Sequence, residues 1–542
     1  MALLDTLGVN GSSLIQDWGG QVQPALVFSF VFLFLLEACL WVSNVMNKRS
    51  PPGPFAWPVV GNAMQLGHLP HLTFCKLAQK YGNIFQIRLG RHNIIVLNGE
   101  STIRQALIRQ STEFAGRPKF ASFQIISGGK SMAFGGYNSL WKSQRRIAHS
   151  VLRAFSTANA DTKKLFEQHV CAEAVDLIKV FMQLGEHGQY FNPSHEFSVA
   201  AANVICALCF GKRYSHDDVE FRALLSRNDK FGKTVSAGSL VDTLPWLQAF
   251  PNPIRNIYES FKELNTEFFN FVKNKVTQHR QTYNPDVTRD MSDAIITLVE
   301  HGTGKSHGLT RDYVEATVTD ILGAGQDTSS TALTWIILLL IKYPNIQNRL
   351  QEEIDKVIGR ERLPTLEDCK RLPHLEAFIY ETLRFTSFVP VTIPHATTAN
   401  VVIDGFEIPK DTVVFINQWS VNHDEKKWKD PGTFNPSRFL DDNGSIDKDL
   451  VNSVMIFSLG KRRCIGDQLS RLQIFLFTSI LLQQCTFQAN PSEKLTMDCI
   501  SGLAVKPQPF TVVVKKRSEM VNGITKYPLY EPFIMPNNDM NK

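Results

Sequence analysis

The sequence predicts a mainly α-helical protein with small β-sheets, preceded by one membrane-spanning helix. Three observations carry that expectation. An apolar run near the N-terminus, Ala25 to Val45, has Leu, Phe or Val at 13 of its 21 positions. Long segments with apolar residues at helical spacing, notably Asp312 to Leu340 and Asp467 to Gln483, fill the later part of the chain. Asn83 to Leu97 alternates in part, as a small hairpin does. With 542 residues, 43% of them hydrophobic, the chain can bury a large core, and by length alone more than one domain. A net charge of +6, from 57 basic and 51 acidic residues, is too small to point to nucleic acid. Nine cysteines without framework spacing suit a reducing compartment and predict no disulfides.

In chain order, residues 1–24 read as a lumenal N-terminus, 25–46 as a transmembrane signal-anchor, 47–61 as a basic, proline-rich hinge, 62–516 as the main body and 517–542 as a loose tail. The apolar run suits one bilayer crossing at 1.5 Å rise per residue. Glu37, near its middle, costs about 3 kcal/mol, against about −0.3 to −0.6 kcal/mol for each Leu, Phe or Val, so insertion still wins. Asp5 and Asp17 precede the run and Lys48 and Arg49 follow it, which leaves the body cytosolic. No basic leader and no small-x-small site mark it for cleavage. Pro51-Pro52-Gly53-Pro54 makes a stiff, non-helical connector. Asn10-Gly11-Ser12 and Asn443-Gly444-Ser445 are glycosylation sequons, expected on opposite sides of the membrane.

Within the body, Trp141 and Arg145 are four residues apart in a helical pattern, so an indole N–H and a guanidinium share one face and can reach one anion. Cys206 and Cys209 have zinc-like spacing but lie in an apolar run and read as buried thiols. Gly302 to Ser306 imitates the end of a phosphate loop with Val299 where glycine is needed, and reads as a flexible linker. The following helix breaks local rules at Gly323-Ala324-Gly325-Gln326-Asp327-Thr328: glycines in a core helix cost about 1 kcal/mol each, and an acid–alcohol pair is costly to bury. Such violations tend to mark function, here room for a ligand against the backbone, with Thr328 bonding back one turn. Glu381 and Arg384 form an i,i+3 pair. Near the end, Cys464 sits among Lys461, Arg462 and Arg463, between Gly460 and Gly466 and just before a helix, a setting expected to lower a thiol pKa and favour the metal-binding thiolate. A buried structural cysteine beside a basic loop is the plain alternative.

The spacing Phe457-x-x-Gly460-x-Arg462-x-Cys464-x-Gly466 resembles the haem-binding signature of the cytochrome P450 family, in which a cysteine thiolate is the axial ligand. The family's other signatures appear in order: Trp141-x-x-x-Arg145, Ala324-Gly325-x-Asp327-Thr328 and Glu381-x-x-Arg384. The resemblance implies the cytochrome P450 fold, with haem b between the central helix and the cysteine loop. It implies Cys464 as the iron ligand, Trp141, Arg145, Arg462, Arg117 and His395 as haem contacts, and Asp327 and Thr328 as the oxygen-activating pair. It also implies Glu381, Arg384 and Arg438 as a structural lock, although Asn435-Pro436-Ser437-Arg438 departs from the commoner Pro-Glu-Arg. Phe-Gly-Gly-Tyr-Asn-Ser-Leu-Trp-Lys and Arg-Phe-Thr-Ser-Phe-Val-Pro-Val-Thr-Ile-Pro-His resemble the aryl-hydrocarbon- and estrogen-hydroxylating first family, nearest its B subfamily. That implies planar polycyclic aromatic and steroid substrates lined by Phe134, Asn228, Phe231, Phe268, Gly323, Ala324, Val389 and Leu503. The expected partners are NADPH–cytochrome P450 reductase, with cytochrome b5 as a further donor, and the lipid bilayer; NADPH is not bound by this chain, which has no nucleotide-binding fingerprint. The expected location is the endoplasmic reticulum membrane, body on the cytosolic side, with mitochondria second. A peroxide isomerase or dehydratase of the same fold, or a non-catalytic haem carrier, are the rivals, and Asp327–Thr328 argues against both.

Overall fold

The structure, a computed structural model, describes residues 11–517 apart from 159, 220, 223–224, 226–230 and 236–238. Asn10, Asn228 and residues 518–542 lie outside the described residues. Helix α1 spans Gly11–Met46, and its segment Leu26–Asn44 is long and apolar enough to cross a membrane. It begins well inside the stretch read as a lumenal N-terminus. Glu37 is not left to lipid: its carboxylate pairs with Arg88 at 2.6 Å. Trp41 donates its indole N–H to the Gly53 carbonyl (3.2 Å), and the rings of Phe34, Phe55 and Trp57 cluster beside it with centroids 5.4–6.2 Å apart. The 47–61 hinge is therefore a packed collar. Gln86 N–H donates to the Pro52 carbonyl, and a Cβ on Gly53 would lie 1.9 Å from the Gln86 oxygen, so only glycine allows this approach.

Strands β1 (Ile84–Leu89) and β2 (His92–Leu97) form the expected antiparallel hairpin. Two later strands, β3 (His395–Ala396) and β4 (Val413–Ile416), extend it in the order β1-β2-β4-β3, with β2 and β4 parallel. Ala396 N–H also bonds the Gly116 carbonyl, which carries Arg117 to the same edge as His395.

The rest is mostly helix. Helix α2 (Ser139–Arg153) is capped by Asn138, whose side chain accepts the Trp141 N–H. Helix α3 (Ser194–Phe210) is apolar and almost wholly buried, with Cys206 and Cys209 inside it. Helix α4 (Pro253–Gln281) is capped by Asn252. The central helix α5 (Asp312–Lys342) lies along α3, and α6 (Pro373–Thr386) and α7 (Asp467–Gln484) complete the core around its later half. Where α5 crosses α3, a Cβ on Gly325 would meet Ile205 at 2.8 Å. That glycine serves helix packing, so the expected ligand room belongs to its neighbours: Gly323, where a Cβ would lie 3.6 Å from the Phe268 ring, and Ala324, which is exposed.

Two loop expectations change. Thr303–Ser306 is a single helical turn rather than a flexible linker, and Gly304 is buried with a Cβ position only 2.7 Å from the Val299 Cα. Arg517, assigned to the loose tail, belongs to the body: its N–H bonds the Gln484 carbonyl and its guanidinium pairs with Asp355 at 2.8 Å.

Candidate functional site

The Phe457–Gly466 loop is closed by the Cys464 N–H, which donates to the Phe457 carbonyl at 2.8 Å. Gly460 has φ +68°, and a Cβ there would fall 1.8 Å from the Leu107 oxygen, so both conformation and contact demand glycine. Ser458 has φ +59° and is held by Gln418, which accepts its N–H and donates to the Val389 carbonyl. Gly466 differs: its φ is −98°, and a Cβ would meet nothing within 4 Å. Neither the backbone nor the protein's own packing requires glycine there, as expected where a large planar group must come close. Cys464 lies deep in the molecule yet its side chain is open, so it borders an internal space rather than the outer surface. Burial pushes its thiol up, outweighing the Gly466 N–H, Arg145 and Arg463, which act in the opposite sense. The cationic loop does not by itself make a thiolate. A bound metal ion can deprotonate a coordinating thiol.

Beside the cysteine lie three guanidiniums. Arg462 donates to the carbonyls of Ala115 (2.8 Å), Met132 (3.1 Å) and Gly135 (2.8 Å), and stacks 4.1 Å from the Trp141 ring centre. Arg117 donates to Ala133 (2.9 Å), Ile393 (2.7 Å) and Pro394 (2.9 Å). Arg145 reaches the Arg463 carbonyl. Among the described residues none of the three has a carboxylate partner. Burial lowers the pKa of each, to about 9 for Arg117, and the neighbouring cations lower Arg117 and Arg462 further. Buried cations bonded only to carbonyls call for an anion, and the two propionates of a haem would supply one. The donor set, the open thiol and the bare Gly466 therefore fit that group.

Two expected contacts are placed differently. The Trp141 indole N–H already donates to the Met132 carbonyl at 2.8 Å, so the ring serves as a floor for Arg462. His395 Nδ1 bonds the Phe114 carbonyl at 2.7 Å; burial and then Arg117 hold its pKa well below the ordinary value. The neutral ring thus donates at Nδ1 and keeps Nε2 as an acceptor.

The lock beneath the site is complete. Arg384 grips Glu381 with two bonds (2.7 and 2.9 Å) and donates to the Asn422 and Pro431 carbonyls, both side chains having no exposed surface. Arg438 adds a bond to Glu381 at 3.1 Å, and the Asn435 N–H another at 2.8 Å.

On α5, Asp320, Ala324 and Thr328 recur every four residues and share one face. Thr328 Oγ1 donates to the Ala324 carbonyl at 2.7 Å, as its position suggests. Asp327 does not bond Thr328; it pairs with Lys506 at 2.8 Å. Phe134 meets Phe231 edge-on with centroids 5.9 Å apart, and Leu503 packs into the same apolar cluster while its N–H bonds the Gly232 carbonyl. Phe268 lies over Gly323. Three residues at this site went unnoticed in the sequence: Lys506, Gln418 and Asp320. Only Asp320 carried a signal, an acid within the apolar part of a core helix.

The sequence profile named Cytochrome P450 matches residues 51–514. The chain is 54% identical over 525 residues to cytochrome P450 1B1 of Homo sapiens, spanning 94% of this chain and 97% of that protein. It is 51% identical over 507 residues to cytochrome P450 1B1 of Mus musculus, spanning 92% and 93%. Cytochrome P450 1A1 of Rattus norvegicus is 43% identical over 494 residues, spanning 88% and 93%. With a deep open cysteine, an uncompensated cationic cluster and this extent of similarity, the chain belongs to the cytochrome P450 family and is a haem-thiolate monooxygenase.

Proposed function

We propose that the enzyme hydroxylates flat aromatic and steroid molecules, polycyclic hydrocarbons and estrogens among them, with NADPH electrons passed on by a membrane-bound reductase and cytochrome b5 as a second donor. The aromatic wall carries this reading. Phe123, Phe134 and Phe231 form a run of edge-on rings, Phe268 covers Gly323, and the side chain of Ala324 is all that α5 offers at that level. Rings facing a nearly bare helix favour planar molecules by offset stacking, worth about 0.5–1.5 kcal/mol per pair beyond area burial. Leu503 closes the slot with aliphatic surface; the resemblance alone adds Val389 to that wall and gives Asn228, outside the described residues, the role of orienting a polar end group.

When bound, the haem supplies oxygen activation. Cys464 holds the iron; Arg462, Arg117 and Arg145 neutralise the propionates; Trp141 keeps Arg462 in place. Thr328 holds a proton at Oγ1 on the open face of α5. Asp327, once released from Lys506, would take up a proton from solvent and pass it on toward Thr328. Glu381, Arg384 and Arg438 keep the cysteine loop rigid.

Replacing Phe231 with Ala tests the slot. The expected result is a KM for flat polycyclic substrates raised about tenfold, the loss of one or two stacked pairs, with globular substrates little changed. Equal losses for both shapes at unchanged haem content would overturn the slot.

A further inference from the structure

Asp320 stands in the buried α5 with no cation paired to it among the described residues; the nearby Lys130 is taken by Asp312. Four groups of one loop donate to its carboxylate instead: the hydroxyls of Ser127 (2.6 Å) and Ser131 (3.0 Å) and the N–H groups of Met132 and Ala133 (3.2 Å). That loop is costly to hold. Ser127, Gly128 and Gly129 are consecutive left-handed residues, with φ of +52°, +63° and +80°. Its opposite, carbonyl edge is gripped from the haem side: Met132 by Trp141 and Arg462, Ala133 by Arg117, Gly135 by Arg462. The turn 131–135 is thus strapped between one acid on the central helix and the guanidinium cluster, and it carries Phe134. The Phe134 N–H donates to Ser131 Oγ at 3.1 Å, and the same oxygen donates onward to Asp320. Burial pushes Asp320 up to about 6, with its four donors holding it down, so the carboxylate remains mostly charged at neutral pH.

We propose that Asp320 is a positioning residue for substrate: through Ser131 it fixes Phe134 at the slot and so sets the preference for flat over globular molecules. This rests on the slot described under the proposed function. In this role Asp320 acts by denying the strap other conformations.

The test uses the full-length holoenzyme with reductase, and compares pyrene as a flat probe with adamantane as a globular one. Asp320→Asn keeps the shape but turns half of the acceptor into a donor facing N–H groups. The expected result is a KM for pyrene raised about tenfold, little change for adamantane, and an unaltered Soret band of the reduced, carbon monoxide-bound protein. In a double-mutant cycle, Asp320→Asn added to Phe134→Ala should cost nothing further for pyrene, because both act through one ring. If Asp320→Asn does not retain haem, Ser131→Ala makes the same test, since it cuts the relay and leaves the acid three donors; a smaller rise for pyrene alone is then expected. Losses that are equal for both probes, or that add in the cycle, overturn the proposal. A Phe134→Ala variant that treats both probes alike instead removes the slot, and the proposal with it; a shape-selective Phe134→Ala beside a shape-blind Asp320 or Ser131 variant removes the proposal alone.

Discussion

Gly460 and Cys464 are four residues apart and are constrained by different forces. At Gly460 the left-handed backbone and the Leu107 carbonyl at 1.8 Å from a would-be Cβ leave one residue type. At Cys464 the proposed constraint is chemical: burial raises a thiol that would have to ionise to ligate iron. Cys464→Ser should therefore fold, since serine fits the same space, and lose the red-shifted Soret band of the reduced carbon monoxide complex. Retention of that band in the variant would show that another residue is the ligand. Gly325 is a third kind of case, a glycine that serves a neighbour. Gly325→Ala gains about 1 kcal/mol of helix propensity but overpacks Ile205 by about 1–3 kcal/mol, so a small net loss of thermal stability is expected. Ile205→Ala in the same chain should cost less than the two changes summed, a favourable coupling that thermal unfolding of the holoprotein reads directly.

Between elements, buried charge is managed by networks rather than by pairs. Glu173, on the helix Ala160–Leu184, and Glu196, on α3, hold His216 from both ring nitrogens at 2.7 and 3.4 Å. Arg213 and Arg222 close the network, each at the carboxylate His216 shares with it. Burial alone would lower the His216 pKa; the bonds to Glu173 and Glu196 outweigh it and push the value up to about 9. A raised folded-state value means stability that is complete below the unfolded value near 6.5 and is lost as pH rises through about 9. Burial likewise raises Glu196, but His216 and Arg222 bring it down to about 2, so its contribution is present above pH 4.5 and falls away as pH drops through about 2. Melting temperature measured from pH 6 to 9.5 should fall in wild type, and His216→Gln should start lower and flatten that slope. A parallel decline in both would place the titrating group elsewhere.

For the whole molecule, the anchor and its collar set how the body meets the bilayer. The stretch Leu240–Ile254 divides: Val241 and Leu244 are buried, whereas Leu240, Trp246 and Phe250 are exposed, with Ile257 continuing the patch on α4. Trp57, Val59 and Met64 are exposed in and just beyond the collar. Clustered exposed apolar and tryptophan side chains suit the lipid interface. A chain lacking residues 1–49 should still float with liposomes, and adding Trp246→Ser and Phe250→Ser should release it. Flotation that disappears with the anchor alone would leave α1 as the only membrane contact.

Helical and strand periods, the apolar anchor and the spacing of the cysteine loop are local properties, and each was legible in the sequence because neighbours a few residues apart define it. The hairpin, α5 and α7 lie within two residues of their expected ends, and Glu381, Arg384 and Arg438 meet as the signature suggested. Partner choice across the chain was not legible. Lys506 on Asp327, Arg88 on Glu37, Ile205 against Gly325 and the 127–133 loop on Asp320 all join distant segments, and no spacing rule connects them. The same holds for electrostatics. The cations beside Cys464 predicted a lowered thiol, and its enclosure reversed the sign, because desolvation depends on everything packed around a group, whereas sequence shows only its neighbours in the chain.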